Sequence, residues 1–247
     1  MQENLQNLKE KFEIIKKRGW IKERKKGFSA IGYTFETMLG KEEDDFPIPD
    51  YDGIEIKTMN KNAKTNLHLF NLTPDGDYLF PIKRILETLG CPDKKDKSKK
   101  VFYRSFRGND DTSIIYGRRG RLFVNYADRK VELKVVNNKL EDIGIDVSWS
   151  FDWLEERLKL KLTYLALVRA SSTIISGEGY YHYDKINFYK LKDFNTFLLL
   201  IEKGVIEITF KIGYYKSGRR IGEVYDHGTD FSINVSDISL LYDEIEV

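Results

Sequence analysis

The stretch Pro49-Asp50-Tyr51-Asp52-Gly53-Ile54-Glu55-Ile56-Lys57-Thr58 holds the residue types in this chain best suited to hydrolytic chemistry. Ile54 and Ile56 alternate with Glu55 and Lys57, so a short strand there buries one pair and presents the other. Residues two apart on a strand face the same way, roughly 6.6 Å apart along its axis, which sets Glu55 and Lys57 side by side. Asp50 is returned to them by a turn that Pro49 and Gly53 allow, with Asp52 as a turn-forming residue. Two carboxylates beside one ammonium make a site for a divalent cation and an attacking water. A similar set recurs as Asp128 followed by Glu132-Leu133-Lys134, with Val131, Leu133 and Val135 facing the other way. No proline or glycine punctuates that second approach, and charge pairing across a solvated sheet face accounts for it.

The elements that must position these residues follow from periodicity. Leu5, Leu8, Phe12 and Ile15 predict an amphipathic helix over 4–18, ended by Gly19. A second helix is expected from Phe28 to Leu39, closed by Gly40, then an acidic loop at 41–45. Strands are expected at 53–58 and 66–72, a helix opened by Pro81 through Leu89, and a solvated loop over 92–100. Short β-rich segments at 101–106, 113–117, 121–126 and 131–136 suggest a meander. A helix at 153–160 precedes a buried strand at 162–170 and its hairpin partner at 180–190. A helix at 194–201, an alternating strand at 205–215, a strand near 231–235 and a short closing helix complete the chain. This order argues for an α+β fold with a mixed sheet.

At 247 residues the chain can build one large domain or two lobes. Tyr and Phe, 15 of each, tilt the balance toward strands. A net charge of +2 does not exclude nucleic acid, because binding depends on where the charges lie. The single cysteine, Cys91, excludes an internal disulfide and a zinc cluster, and reads as a half-buried small hydrophobe near a helix end. No apolar stretch approaches a bilayer span, so a soluble, cytoplasmic protein without a membrane partner is expected.

Two blocks narrow the reading. Gly32-Tyr33-Thr34-Phe35-Glu36-Thr37-Met38-Leu39-Gly40 and Phe46-Pro47-Ile48-Pro49-Asp50-Tyr51-Asp52-Gly53-Ile54-Glu55-Ile56-Lys57-Thr58 closely resemble the MvaI/BcnI family of type II restriction endonucleases. The pairing of a helix with a strand, and a glutamate shortly before Leu39-Gly40, also resembles the MutH mismatch-repair nicking enzyme. Asp226-His227-Gly228-Thr229-Asp230-Phe231 looks like the family too. The resemblance implies a two-lobed PD-(D/E)xK restriction-endonuclease-like fold. It implies that Asp50 and Glu55 ligate Mg²⁺ with the carbonyl of Ile56, that Lys57 orients the attacking water, and that Glu36 stands in an outer shell or at a second metal position. It further implies double-stranded DNA as substrate, a CC-W-GG-like target, a 5′ phosphate product and action as a monomer.

Other residues read as DNA contacts of differing kinds. His227 lies in a loop, where base readers are common, whereas His68 reads as a surface or groove residue and His182 as a structural hydrogen-bond partner. Lys211, Lys216, Arg219 and Arg220, with Tyr214, cluster around a Gly-flanked turn, and an arginine there could bridge O6 and N7 of guanine. Asp226 and Asp230 join this set through the family-like stretch. Lys61, Lys64, the run 22–26, Arg118, Arg119 and Arg121 could grip phosphates. The expected division is a catalytic lobe over 1–185, with a β-rich elaboration at about 95–145, and a DNA-recognition lobe over 186–247. Duplex DNA is expected in the cleft between them. A repair-type nicking endonuclease, or a DNA-binding protein with a disused nuclease fold, would share these features.

Overall fold

The computed structural model describes residues 1–27, 29–40, 48–77 and 79–247. Phe28, the acidic loop expected at 41–45 and Phe46-Pro47 of the second block lie outside the described residues. The first 65 residues carry α1 (Gln2–Lys17), β1 (Ile21–Lys22), α2 (Ala30–Met38) and β2 (Glu55–Asn60). Next come β3 (Asn66–Asn71), α3 (Leu79–Leu89), β4 (Cys91–Pro92), β5 (Lys100–Phe106), β6 (Thr112–Ser113), β7 (Arg119–Asn125), β8 (Lys130–Val136) and β9 (Ser148–Ser150). Then α4 (Phe151–Lys161) leads into β10 (Tyr164–Ile175) and β11 (Glu178–Leu191). The chain continues through α5 (Phe194–Glu202), β12 (Ile206–Tyr214), β13 (Val224–Asp226), β14 (Asp230–Asn234), α6 (Ile238–Leu241) and β15 (Tyr242–Ile245).

These elements form two compact units, each assembled from separate stretches of chain. One comprises Met1–Thr65, Arg157–Lys192 and Ser239–Val247; the other comprises Asn66–Glu156 and Asp193–Ile238. This corrects the single division expected at 185/186, which would cut through the middle of β11. The reason is topological. β2 pairs in parallel with β10, and a parallel pair needs a crossover connection, here long enough to carry much of a second unit.

The first unit is a mixed sheet in the order β1-β11-β10-β2, with β15 also paired to β11. β10 and β11 form the expected hairpin, with a bulge between Arg169 and Ala170. Leu5, Leu8, Phe12 and Ile15 of α1 are all buried, as their helical spacing requires, and cluster with Phe35, Ile54, Ile56, Ala166, Val168, Ala170 and Tyr183. Burying a side chain of this kind contributes about 1.5–3 kcal/mol before entropy is set against it. The expected closing helix is only four residues long. It gives way to β15, which the sequence did not announce because its partner, the edge of β11, is supplied by tertiary structure.

The second unit holds a sheet in the order β3-β14-β12-β5-β4, with β13 paired to β12, and a separate sheet β6-β7-β8-β9. The meander expected over 101–136 is therefore divided: β5 pairs with β12, and only the later strands form an antiparallel run. The segment expected at 113–117 is a two-residue strand followed by a short 3₁₀ turn. Phe70, Phe210 and Phe231 pack with Trp149, whose indole N–H donates to the Leu72 carbonyl at 2.9 Å. Cys91 is half-buried just past α3, as expected. Among the described residues, no helix is long and apolar enough to cross a membrane.

Candidate active site

The site begins with a tight turn. Tyr51 and Ile54 exchange backbone hydrogen bonds at 3.0 and 2.7 Å, and the two residues between them, Asp52 and Gly53, have φ of 41° and 87°. Positive φ at both central positions is the geometry for which Asp-Gly is a favoured pair. Asp52 is thus the turn former, and its carbonyl accepts from Asn4 of α1 at 3.0 Å. The turn folds Asp50 back along β2, where its Oδ2 accepts from the amide of Ile56 at 2.9 Å.

On β2 the alternation is as expected, with Ile54 and Ile56 in the helix-facing core and Glu55 and Lys57 pointing the other way. Lys57 Nζ lies 2.6 Å from Glu55 Oε1. One expectation is corrected: Glu55 is not presented to solvent but is 1% exposed. Two residues that sequence reasoning missed influence it. Lys161, the last residue of α4, brings its Nζ to 3.5 Å from the same Oε1. Tyr242 of β15 is fully buried and its hydroxyl feels the charge of Glu55. Burial pushes the Glu55 pKa up, Lys57 and Lys161 pull it down, and Asp50 adds to the upward push. Burial likewise raises the phenol of Tyr242.

Among the described residues, Glu55 Oε2 is buried without a hydrogen-bond partner. An orphaned carboxylate oxygen beside a second carboxylate suits a hard cation, so the donor set fits Mg²⁺. Among the described residues no three His, Cys, Asp or Glu side chains cluster to hold a metal by themselves. A cation here would rest on two carboxylates, backbone oxygen and water, which is how Mg²⁺ is commonly held. Glu36 does not complete a three-carboxylate cluster. A Cβ built on Gly32 would sit 3.6 Å from Glu36 Oε1 and 3.9 Å from Thr58 Oγ1, which places the Glu36 carboxylate beside β2.

The second Asp…Glu-x-Lys set forms a closed charge network. Glu132 is held by Lys130 at 2.7 Å and Lys134 at 3.0 Å, both on its own strand, while Asp128 accepts from Asn125 at 2.9 Å. The pairing runs along β8 rather than across strands as expected. His182 makes the structural contact expected of it, 3.0 Å from Asp184 Oδ1.

All the residues singled out for base reading lie in the second unit, and Lys61 lies in the first. Lys211 Nζ pairs with Asp230 Oδ2 at 2.8 Å, and His68 Nε2 is 3.3 Å from Oδ1 of the same carboxylate. His68 therefore belongs to this polar cluster, which alternation alone did not reveal. Asp226 accepts from the amide of Gly228 and the hydroxyl of Thr229, both at 3.1 Å, so it shapes the loop that carries His227. The His227 ring packs edge-on against Tyr225 at 4.3 Å. Arg220 donates to Glu223 at 2.7 Å and to the Tyr215 hydroxyl at 2.9 Å, and Arg220, Arg219 and Lys216 are all exposed. Lys99 lies over the Tyr214 ring at 5.4 Å.

A search of curated proteins finds no match. Among solved structures, the chain is similar to the restriction endonuclease MvaI–cognate DNA substrate complex, at 32% identity over 99% of this chain and 98% of that one, with a TM-score of 0.89. Restriction endonuclease MvaI in the absence of DNA matches at 31% identity over the same shares, with a TM-score of 0.65. The two sequence blocks suggest MvaI itself; these identities make the chain a relative with its own sequence. The model of the MvaI/BcnI restriction endonuclease family matches residues 9–242. The chain belongs to the MvaI/BcnI restriction endonuclease family.

Proposed function

We propose that this restriction endonuclease is a Mg²⁺-dependent type II enzyme that hydrolyses double-stranded DNA at a CC-W-GG-like site and leaves a 5′ phosphate. The observation that carries the reading is the convergence of Asp50, Glu55 and Lys57 at the start of β2, in a chain similar along its length to an enzyme solved with its cognate DNA. Asp50, Glu55 and the Ile56 carbonyl would hold the ion, with Glu36 in an outer shell or at a second metal position. Bound Mg²⁺ would acidify water and neutralise charge on the phosphate. Lys57 orients the attacking water and offsets the charge that develops on the phosphate oxygens. Attack in line with the leaving 3′ oxygen gives the 5′ phosphate and 3′ hydroxyl.

The first unit is read as the catalytic one and the second as the source of base contacts. Arg219 and His227, with Lys211, Asp230, Asp226, Tyr214, Lys216 and Arg220, are the candidate contacts, and Lys61 a phosphate contact. An asymmetric central pair suits a monomer that cuts one strand at a time. The test is to incubate the pure protein with plasmid and Mg²⁺ and sequence the ends. Discrete double-strand cuts at one CC-W-GG-like sequence support the reading. Nicks alone would indicate a repair-type enzyme, and intact plasmid a DNA-binding protein.

A further inference from the structure

Two ammonium groups converge on one oxygen of Glu55. Lys57 Nζ is 2.6 Å from Oε1 and Lys161 Nζ 3.5 Å, and the two side chains are only 18% and 20% exposed. They arrive from different elements. Lys57 shares a strand with Glu55, whereas Lys161 ends α4, where the negative end of a helix favours a cation. The helix is regular up to that point, since the amide of Leu162 still donates to Leu158 O at 2.8 Å. Leu158 and Leu162 are buried, so the backbone beneath Lys161 is anchored on both sides.

This arrangement resolves a conflict in the demands made on Lys57. At 2.6 Å from its strand neighbour, its ammonium is committed to Glu55. Its ammonium has three donors, so a phosphate or an attacking water competes with Glu55 for its charge and draws it outward. Any withdrawal weakens the hold on Oε1 of a carboxylate that is 1% exposed and whose other oxygen, Oε2, is the one left for a metal. Such a loss is costly in a buried site unless a second cation remains.

We propose that Lys161 is a positioning residue that keeps Glu55 in place and charge-balanced, which releases Lys57 to engage the scissile phosphate. The inference rests on Glu55 and Lys57 being the catalytic pair. Lys161 acts through Glu55 and touches neither the DNA nor the reacting water.

The test uses the full chain with Lys161→Met, Lys161→Arg and Lys57→Ala. Three quantities are measured: the single-turnover cleavage rate on saturating cognate duplex with Mg²⁺, the Kd for that duplex in Ca²⁺, and the melting temperature. Lys161→Met is expected to slow cleavage about 10²-fold, the scale of a loss of positioning at one remove from the chemistry. The Kd should stay at the parent value, and Lys161→Arg should recover most of the rate. A parental rate in Lys161→Met overturns the proposal. So does a Kd weakened as much as the rate, which would make Lys161 a DNA contact. Equal slowing by methionine and arginine, with both proteins melting near the assay temperature, would reduce its role to folding. Lys57→Ala separates the two levels. If it cleaves normally, the catalytic pair is wrong; if it is dead while Lys161→Met is fast, only the role of Lys161 fails.

Discussion

Replacing Lys57 by methionine removes the ammonium nearest Glu55 while keeping most of the side chain's bulk. At an effective dielectric of about 20, unit charges 2.6 and 3.5 Å apart attract by about 6 and about 5 kcal/mol before desolvation is set against them. Removing one partner of a buried pair costs about 3–5 kcal/mol, chiefly because the other charge is left uncompensated. Lys161 remains beside Glu55, so the low end, about 3 kcal/mol, is expected for the metal-free protein. In a chain of this size that lowers the melting temperature by about 6–12 °C. Adding Glu55→Gln to Lys57→Met removes the stranded charge, so the double variant should be more stable than additivity predicts, by about 2 kcal/mol. Thermal and urea unfolding in EDTA measure these differences, and cleavage should be lost in both single variants and the double. An unchanged melting temperature for Lys57→Met, or strict additivity in the cycle, would refute the electrostatic account of the site.

With EDTA, or with Ca²⁺ in place of Mg²⁺, gel shifts should still show cognate binding while cleavage stops, since Ca²⁺ accepts oxygen ligands in looser geometry; cleavage in EDTA would remove Asp50 and Glu55 from the ligand role. Burial holds the Glu55 pKa above the ordinary carboxylate range, so its contribution to metal-free stability is present below the unfolded value and lost as pH rises through the raised one. Glu55→Gln should therefore flatten that part of the stability profile, and an identical profile would contradict the shift. Lys134→Ala should leave cleavage intact, because Lys134 pairs with Glu132 of the second set; a dead Lys134→Ala beside an active Lys57→Ala would reverse the two sites. In cleavage assays on single-pair variants, Arg219→Ala should relax discrimination at one position, at a cost of about 1–3 kcal/mol, while Lys61→Ala should weaken all sequences evenly. Equal loss on every sequence for both would place base reading elsewhere.

What could be read in the sequence was local. The Asp52-Gly53 turn, the alternation of Ile54 and Ile56 with Glu55 and Lys57, and the apolar stripe of α1 are each written within a dozen or so residues, and each took its expected form. Lys161 and Tyr242 are distant in sequence from Glu55 and come under its influence only through tertiary structure, so no spacing rule could connect them. The available hint was a lysine set between Leu160 and Leu162 at the end of a helix, which has few reasons to sit beside a buried strand unless a carboxylate awaits it. The burial of Glu55 was hidden for the same reason, since strand alternation specifies a face and not what covers it. The second Asp…Glu-x-Lys set shows the opposite limit: its residues match the pattern, yet neighbours on the same strand neutralise the glutamate.

The parallel pairing of β2 with β10 also imposes an order of assembly. Glu55 sits opposite Leu165, 110 positions further along the chain, so the strand that bears the proposed catalytic residues has no sheet partner when it leaves the ribosome. Contacts this distant close slowly, because the entropy of a long loop must be overcome before they form. Residues 66–156 are made in the interval, and the β6-β7-β8-β9 sheet can form while β2 waits, whereas β3 and β5 also wait for β14 and β12. A chain halted at residue 156 would hold Asp50, Glu55 and Lys57 without the sheet that fixes their backbone or the lysine at the end of α4. The nuclease would therefore acquire its cutting edge late in synthesis, and a fragment ending at residue 156 should leave DNA intact however well it folds.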